Sequence, residues 1–272
     1  MTETITTFQP SFMQKLLGRN YKWWYLLVFC FKTSTTYLIN DVLWLMSRVL
    51  TLLLVILVFV LSNRSDSESI LTYLISGNIL MSLVSVLHSW SICNEIFDGK
   101  ITSKLIVPTN LVGRWFCETV PGVLKNSIII FTIFLPLSLF FPNYISINFN
   151  FFQILPLMLF AYLIRFFLEI MVGLSCFWLT QAYGVIDGHL ALIPLLSGSL
   201  IPLYLFGDNF KFLIFTPFAF TFYHPMQIYL GKYSPLETLY VFLGGIAWCV
   251  VLYFLAKWVF KMGLKRNESV GL

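Results

Sequence analysis

Long apolar stretches, separated by short polar or charged segments, make up most of the chain from residue 42 onward. Each is about 20 residues long, the length of α-helix that a hydrocarbon core of about 30 Å requires. The pattern predicts transmembrane helices at Val42–Leu61, Ile70–Trp90, Val120–Phe141, Phe151–Leu179, Val185–Phe206 and Thr238–Ala256. The predicted fold class is therefore an all-α polytopic membrane protein with six transmembrane helices.

The apolar stretch over residues 197–231 is interrupted too often to cross a membrane as one straight helix. Its prolines each lack a backbone donor, and the Gly207-Asp208-Asn209 sequence favours a turn. Irregular backbone survives at membrane depth only where protein or water satisfies its polar groups. We therefore predict a re-entrant hairpin at residues 207–232, between spans five and six. The residues that mark this region are Gly198, Pro202, Pro217, Phe218, Pro225 and Gly231.

The apolar part of this hairpin, Asn209–Tyr229, has an alternative interpretation as a seventh span, which would place the two termini on opposite sides. The distribution of basic residues favours six spans, because cytoplasmic loops carry an excess of Lys and Arg. With six spans, twelve of the 17 basic residues lie on the side that holds both termini, which is then cytoplasmic. These twelve are Lys15, Arg19, Lys22, Lys32, Lys100, Lys104, Arg114, Lys125, Lys257, Lys261, Lys265 and Arg266.

The composition agrees with a membrane protein of one domain. Hydrophobic residues make up 58% of the chain and charged residues only 11%, whereas a soluble domain carries roughly 25% charged residues. The net charge is +5, but the basic residues lie at span ends, so no nucleic-acid partner is expected. We predict a single transmembrane domain over residues 1–272, with an amphipathic region at 1–40, a bundle at 41–260 and a cytoplasmic tail at 261–272.

The five cysteines show no spacing typical of a metal site, and their number is odd. None lies on the outer side of the predicted topology, so we expect apolar packing residues and no structural disulfide. They are Cys30, Cys93, Cys117, Cys176 and Cys249.

An amphipathic helix is predicted before the first span. Lys15, Arg19 and Lys22 follow the spacing i, i+4, i+7 and form one basic stripe, while Trp23 and Trp24 belong to an apolar face. Such a helix favours a position in the headgroup layer. The alternative is an ordinary cytoplasmic helix that caps the bundle.

The segment between spans two and three, residues 94–110, combines charged residues with an apolar side. Gly99 permits a left-handed turn, and Pro108 ends any helix before it. A short amphipathic element in a cytoplasmic loop suits docking into a groove on another protein; the alternative is a loop that lies on the membrane surface. The candidate contact residues are Glu95, Phe97, Asp98, Gly99 and Lys100.

Two charged residues, Arg165 and Glu169, lie inside predicted span four, near its middle. A charge costs about 2.5–3.5 kcal/mol at the centre of a bilayer, and the i, i+4 spacing lets the two neutralise each other. They either line a substrate or ion path or orient the helix as a structural pair. Arg48, inside span one, and Asp41, just before it, are weaker members of the same polar set.

No catalytic or metal-binding residues are predicted. His88 and His224 are isolated, and the Asp187-Gly188-His189 sequence is interpreted as a polar helix start. The chain contains no Gly-x-x-x-x-Gly-Lys-Ser/Thr loop, so it does not bind ATP in that way.

Three pieces of sequence resemble the permease subunits of type-two ATP-binding-cassette (ABC) exporters, in the bacterial six-span branch with separately encoded ATPases. They are IFDGKITSKLIVP at 96–108, LLSGSLIPLYLF at 195–206 with TPFAFTFYHPMQIYLG at 216–231, and the tail KMGLKRNESVGL at 261–272. Leu-Ile-Val-Pro stands where the family often has Leu-Leu-x-Pro, and Gly207-Asp208 stands where a further proline often follows.

The resemblance implies a working unit of two permeases, identical or related, and two ATPases in a bacterial cytoplasmic membrane. The 94–110 segment would be the coupling helix, the N-terminal amphipathic helix the elbow helix, and the hairpin the cap of the outer end of the pathway. ATP and Mg would bind only in the partner ATPase, and this chain would hold no cofactor.

The primary hypothesis is therefore an export permease without chemistry of its own. Its aromatic-rich spans favour an amphipathic or hydrophobic cargo, such as a peptide, lipid, drug or glycan. One alternative is an ion-coupled secondary carrier that uses Arg165 and Glu169, although carriers usually have broken spans in matching halves and here only the C-terminal half is broken. The other alternative is an intramembrane enzyme, for which only Asp187 and His189 approach a catalytic constellation.

Overall fold

The computed structural model of the protein describes residues 21–35, 85–106, 110–140 and 151–268, together with single positions between 43 and 84. Within these residues the regular structure is helical and no strand occurs. The helices are α1 (Tyr21–Thr35), α2 (Ser89–Phe97), α3 (Lys100–Ile106), α4 (Leu111–Phe140), α5 (Phe151–Leu174), α6 (Tyr183–Leu196), α7 (Pro217–Thr221), α8 (Tyr223–Tyr229) and α9 (Pro235–Glu268). Short 3₁₀ segments cover Ser175–Phe177, Leu203–Leu205 and Asp208–Phe215.

Helix α5 lies at the centre of the bundle and packs against α2, α7, α8 and α9. The rings of Phe160 and Phe242 lie 5.8 Å apart, and so do those of Phe167 and Tyr253. Because residue numbers rise together along these contacts, α5 and α9 run parallel. Ile154–Phe177 and Pro235–Arg266 are long and apolar enough to cross a membrane, and they coincide with predicted spans four and six.

Two helices extend well beyond the apolar stretches that predicted them. Helix α4 begins at Leu111 rather than Val120, because Asn110 caps it: its Oδ1 accepts a hydrogen bond of 3.2 Å from the Val112 amide. Helix α9 continues to Glu268, well past Ala256, since lysine and arginine are good helix formers. Hydropathy locates the apolar part of a helix and not its polar ends.

Helix α6 is shorter than predicted span five and ends at Leu196 rather than Phe206. Gly198 adopts a left-handed backbone with φ +82°, and a Cβ at this position would meet the Leu203 side chain. Pro202 follows with an extended ψ of 130°. The glycine and the proline therefore end the helix early, and 3₁₀ segments continue the chain.

The chain after α6 turns and comes back on itself. Lys232 lies over the ring of Tyr204, with 5.1 Å between Nζ and the ring centroid, so the residues before and after the hairpin meet at one level. Between them, the Phe215 carbonyl accepts a 3.0 Å hydrogen bond from the Trp248 indole. Trp248 lies thirteen residues, about 20 Å, along α9 from its first residue, Pro235. Residues 207–232 thus descend beside α9 and return.

The residues predicted to mark this hairpin occupy its turns and its buried side. Pro217 is the first residue of α7, Pro225 is buried in α8, and Gly231 has φ +67° in the turn before α9. Phe218 packs against the main core. His224 stabilises the return: Nε2 donates to the Ile214 carbonyl (2.9 Å), and Nδ1 accepts from the Tyr233 hydroxyl (3.0 Å).

The N-terminal helix α1 packs on α4. The Trp23 ring lies against Gly113, and the Lys125 ammonium donates a 2.7 Å hydrogen bond to the Ser34 carbonyl. Lys22 belongs to this helix, whereas Lys15 and Arg19 lie outside the described residues. Asp41 and Arg48, and most of predicted spans one and two, also lie outside the described residues.

The prediction that the cysteines are packing residues without a structural disulfide is wrong for one pair. Cys93 in α2 and Cys176 in the 3₁₀ segment after α5 are bonded, with their Cα atoms 5.5 Å apart. The prediction considered the redox compartment alone, whereas the pairing depends on two segments that are 83 residues apart in the sequence. The other three cysteines are free.

Candidate functional site

Helices α2 and α3 form a helical hairpin over residues 89–106, and its turn is centred on Gly99. The Asp98 amide donates to the Asn94 carbonyl (2.9 Å) and the Gly99 amide donates to the Ile96 carbonyl (3.1 Å), which ends α2. Gly99 then takes φ +68°, a conformation that glycine adopts without a steric penalty. The sequence prediction of a left-handed turn at Gly99 is confirmed.

The outer side of the α2–α3 hairpin is exposed and mixes apolar with charged groups. Phe97 is 40% exposed and Ile106 is 80% exposed. Asp98 and Lys100 are exposed as well, and they form an ion pair of 2.6 Å with each other. The hydrogen bond to Asp98 raises the pKa of the Lys100 ammonium, so Lys100 stays charged at neutral pH. Four of the five predicted contact residues therefore lie on the outer side: Phe97, Asp98, Gly99 and Lys100.

Glu95, the remaining predicted contact residue, lies on the inner side and is only 12% exposed. Its Oε1 lies 2.5 Å from the Lys104 ammonium, and its Oε2 accepts a 3.2 Å hydrogen bond from the Trp115 indole. Lys104 also contacts Glu118 Oε1 at 2.9 Å. Glu95 therefore joins α2 and α3 to the start of α4 from the inner side of the hairpin.

This inner cluster balances its charges. Glu118 accepts hydrogen bonds from Lys104 and, at 3.3 Å, from Arg114 one turn away. His88 Nε2, at the start of α2, lies 3.6 Å from Glu118 Oε2. Partly buried ion pairs are screened less by salt than exposed ones. The cluster therefore fixes the hairpin on α4 while its outer side stays free for contact.

A second polar cluster is centred on Glu169, whose side chain is fully buried. Glu169 Oε1 lies 3.0 Å from the Arg165 guanidinium and 3.5 Å from His189 Nε2, and Oε2 accepts the Ser89 amide at 3.3 Å. Ser89 is the first residue of α2. A carboxylate is favourable there because the first amides of a helix lack partners within the helix. Glu169 thus connects α2, α5 and α6.

Arg165 lies at the middle of the apolar span Ile154–Phe177, as predicted, and Glu169 lies one turn further along it. Glu169 lies five residues before Leu174, the last residue of α5, and therefore about 7.5 Å from that end. His189 is also more than a polar helix start, because it reaches Glu169, whereas Asp187 is exposed. No local pattern connects Ser89, Glu169 and His189, and only the packing of three helices brings them together.

Helices α2 and α5 run side by side along a tight seam. Besides the contact between Ser89 and Glu169, Gly173 lies against α2. A Cβ at Gly173 would be 2.8 Å from the Ile92 Cβ and 3.0 Å from the Ser89 carbonyl oxygen. Only glycine allows this approach, so α2 packs directly against the end of α5.

The start of α6 also contacts the hairpin. The Tyr183 ring stacks on Trp90, with centroids 4.9 Å apart, and meets Phe97 edge-on at 6.2 Å. At the neighbouring edge, the Trp115 ring contacts Phe260 at 5.9 Å. The basic C-terminal part of α9 therefore lies at the same end of the bundle as the hairpin. Among the described residues, no group of three or more His, Cys, Asp or Glu residues could hold a metal ion.

The bundle thus contains two helices long and apolar enough to cross a membrane, and a helical hairpin joined to its end by ion pairs. A family model described as ABC-2 family transporter protein matches residues 45–271. The chain belongs to the ABC-2 transporter family, whose members are membrane components of transporters that work with ABC ATPases. Comparisons with curated proteins and with solved structures found no match.

Proposed function

We propose that this chain is the permease subunit of an ABC exporter in a bacterial cytoplasmic membrane, and that the α2–α3 hairpin docks into a separate ATPase subunit. The observation that carries the proposal is the division of the hairpin into two sides. Its outer side offers Phe97, Asp98, Lys100 and Ile106, and its inner side is joined to the bundle by Lys104 and its two carboxylate partners. ATP and Mg would bind in the ATPase, and this chain would need no cofactor.

The chemistry of the outer side suits a groove on another protein. An exposed aromatic ring and an exposed isoleucine supply apolar contact area, and aromatic residues are enriched among those that dominate binding energy. The neighbouring ion pair of Asp98 and Lys100 supplies orientation rather than affinity, since exposed charge pairs mainly determine specificity. This combination favours protein docking over a loop that rests on lipid, where a carboxylate at the tip would be unfavourable.

The contacts of the hairpin also provide a route for movement. A displacement at Phe97 reaches α6 through Tyr183, α4 through the Glu95–Lys104–Glu118 cluster, and α5 through Glu169. Under this proposal, closure of the ATPases on ATP shifts the hairpin and changes the packing of these helices. ATP then favours the outward-open permease, and cargo must in turn alter ATP binding to the same degree, since coupling between two sites is reciprocal.

The position of Glu169 argues against the alternative of an ion-coupled carrier. Its carboxylate faces Arg165, His189 and the first amide of α2 at the hairpin end of α5. These contacts hold the hairpin in place, which is a positioning role, and they leave little reason to assign an ion path to the pair.

The same proposal assigns the two ends of the bundle to the two sides of the membrane. The α2–α3 hairpin and the basic end of α9 lie together, as expected if both are cytoplasmic. The re-entrant course of residues 207–232 would then cap the outer end, beside a pathway for an amphipathic or hydrophobic cargo such as a peptide, lipid, drug or glycan. The working unit would contain a second permease, identical or related, beside the ATPase subunits.

The docking role is tested by the recovery of an ATP-binding subunit with tagged full-length protein from membranes of the source cell. We expect Phe97→Asp to lower that recovery about tenfold or more, because an interface aromatic contributes about 2 kcal/mol or more. Phe210→Asp is the matched control: Phe210 is 51% exposed but lies near the first residues of α9, at the opposite end of the bundle. Equal recovery with both variants would contradict docking through the hairpin.

A further inference from the structure

The bond between Cys93 and Cys176 joins the α2–α3 hairpin to the end of α5. Both side chains are buried, and they form a small cluster with Ala182 and Ile186 at the start of α6. The bond is the last of three successive contacts along the seam, after the contact of Ser89 with Glu169 and that of Ile92 with Gly173. It therefore covalently fixes the relative position of two elements that otherwise only pack together.

The location of this bond indicates whether it is permanent or reversible. The Phe177 ring, next to Cys176, lies against Gly263 in the basic part of α9, so the pair lies at the end of the bundle that is cytoplasmic under the proposed topology. Glutathione and thioredoxin keep cytoplasmic thiols reduced, and disulfides that form there are usually transient and redox-sensing. We propose that Cys93 and Cys176 are a reversible thiol–disulfide lock that fixes α2 to the end of α5 under oxidising conditions.

The chemistry of closure is thiol–disulfide exchange with a low-molecular-weight disulfide such as oxidised glutathione. One cysteine thiolate attacks a sulfur of the small disulfide, forms a mixed disulfide and releases one thiolate. The second cysteine thiolate then attacks the protein sulfur of the mixed disulfide and releases the other small thiolate. The two protein thiols lose two electrons and two protons, and the small disulfide gains them to become two thiols.

Burial makes closure depend on the conformation of the hairpin. Cys93 is 0% exposed when α2 is packed on α5, so a small disulfide reaches the pair only when the hairpin has moved away. Once the hairpin returns, the second thiolate lies beside the mixed disulfide, because the Cα atoms are 5.5 Å apart in the packed arrangement. Oxidation thus traps the packed arrangement, and reduction leaves it held only by non-covalent contacts.

The lock is tested on the full-length protein in lipid nanodiscs, incubated with oxidised glutathione or with dithiothreitol. Non-reducing peptide mapping should show Cys93 linked to Cys176 after oxidation and free after reduction. Amide hydrogen exchange over residues 89–97 should slow about tenfold in the oxidised protein. Cys93→Ser should lose both effects, and Cys249→Ser, which removes a free cysteine on α9, should keep both.

Two results would overturn the lock: linkage of Cys93 to a different cysteine, or exchange over residues 89–97 that does not change when the bond forms. The consequence for transport rests on the proposed function and is measured separately, as ATP hydrolysis by the assembled transporter before and after oxidation. If the bond forms and slows exchange but hydrolysis stays constant, the lock holds and the coupling role of the hairpin is contradicted.

Discussion

Replacing both Asp98 and Lys100 by alanine should abolish transport-stimulated ATP hydrolysis while leaving membrane insertion intact. Both side chains are exposed and contact each other, so their removal creates no cavity and leaves no buried charge. Their loss removes the polar groups at the tip of the hairpin that would orient it in the ATPase groove. The measurement is the ATPase rate of the reconstituted transporter with and without cargo, beside the amount of protein in the membrane.

The chain offers a matched control for this double variant. Asp208 and Lys211 form a second exposed ion pair, with 2.8 Å between Oδ1 and Nζ, at the start of residues 207–232. Asp208→Ala with Lys211→Ala makes the same chemical change at the opposite end and should keep stimulated hydrolysis. Hydrolysis that survives the Asp98 and Lys100 double variant would remove the hairpin tip from the coupling mechanism.

Glu169→Leu should lower the free energy of unfolding by about 3–5 kcal/mol, the cost of removing one member of a buried ion pair. The substitution removes the carboxylate that neutralises Arg165 and accepts the Ser89 amide. We also expect faster amide exchange in the first turn of α2, because its first amide loses an acceptor. The measurement is denaturant unfolding in micelles together with hydrogen exchange.

A double variant separates the loss of the charge pair from the loss of packing. Arg165→Met combined with Glu169→Leu removes both charges and should recover most of the lost stability, since hydrophobic replacement of a whole buried pair is often neutral. The first turn of α2 should still exchange faster, because the acceptor for the Ser89 amide remains absent. An unchanged free energy of unfolding in the Glu169→Leu variant would show that Glu169 does not join the three helices.

Hydropathy predicts the long helices of this protein where one helix coincides with one apolar stretch. Spans four and six correspond to α5 and α9, and Gly99 forms the left-handed turn that its residue type favours. The helix ends are predicted less well. Asn110 extends α4 into the charged loop and Gly198 ends α6 inside an apolar stretch, because capping and backbone conformation determine a helix end and hydropathy does not.

The support of the hairpin could not be predicted from the sequence. Lys104 donates hydrogen bonds to Glu95 and Glu118, which lie nine and fourteen residues away in the sequence. These contacts form only because α2, α3 and α4 fold onto one another. The bond between Cys93 and Cys176 likewise depends on tertiary packing across 83 residues. From composition alone, the charged residues would be assigned to exposed loops and the cysteines to an apolar core. In the fold, both sets join neighbouring helices.

The most direct test of the account is a photo-cross-linking residue at position 106 of the full-length chain, in living cells. Ile106 is 80% exposed at the end of the α2–α3 hairpin, so its substitution should leave the bundle unchanged. We expect a covalent product with an ATP-binding protein from position 106, and none from the same residue at position 210. Products that contain only lipid, or no ATP-binding protein, would contradict the claim that this hairpin receives the energy for transport.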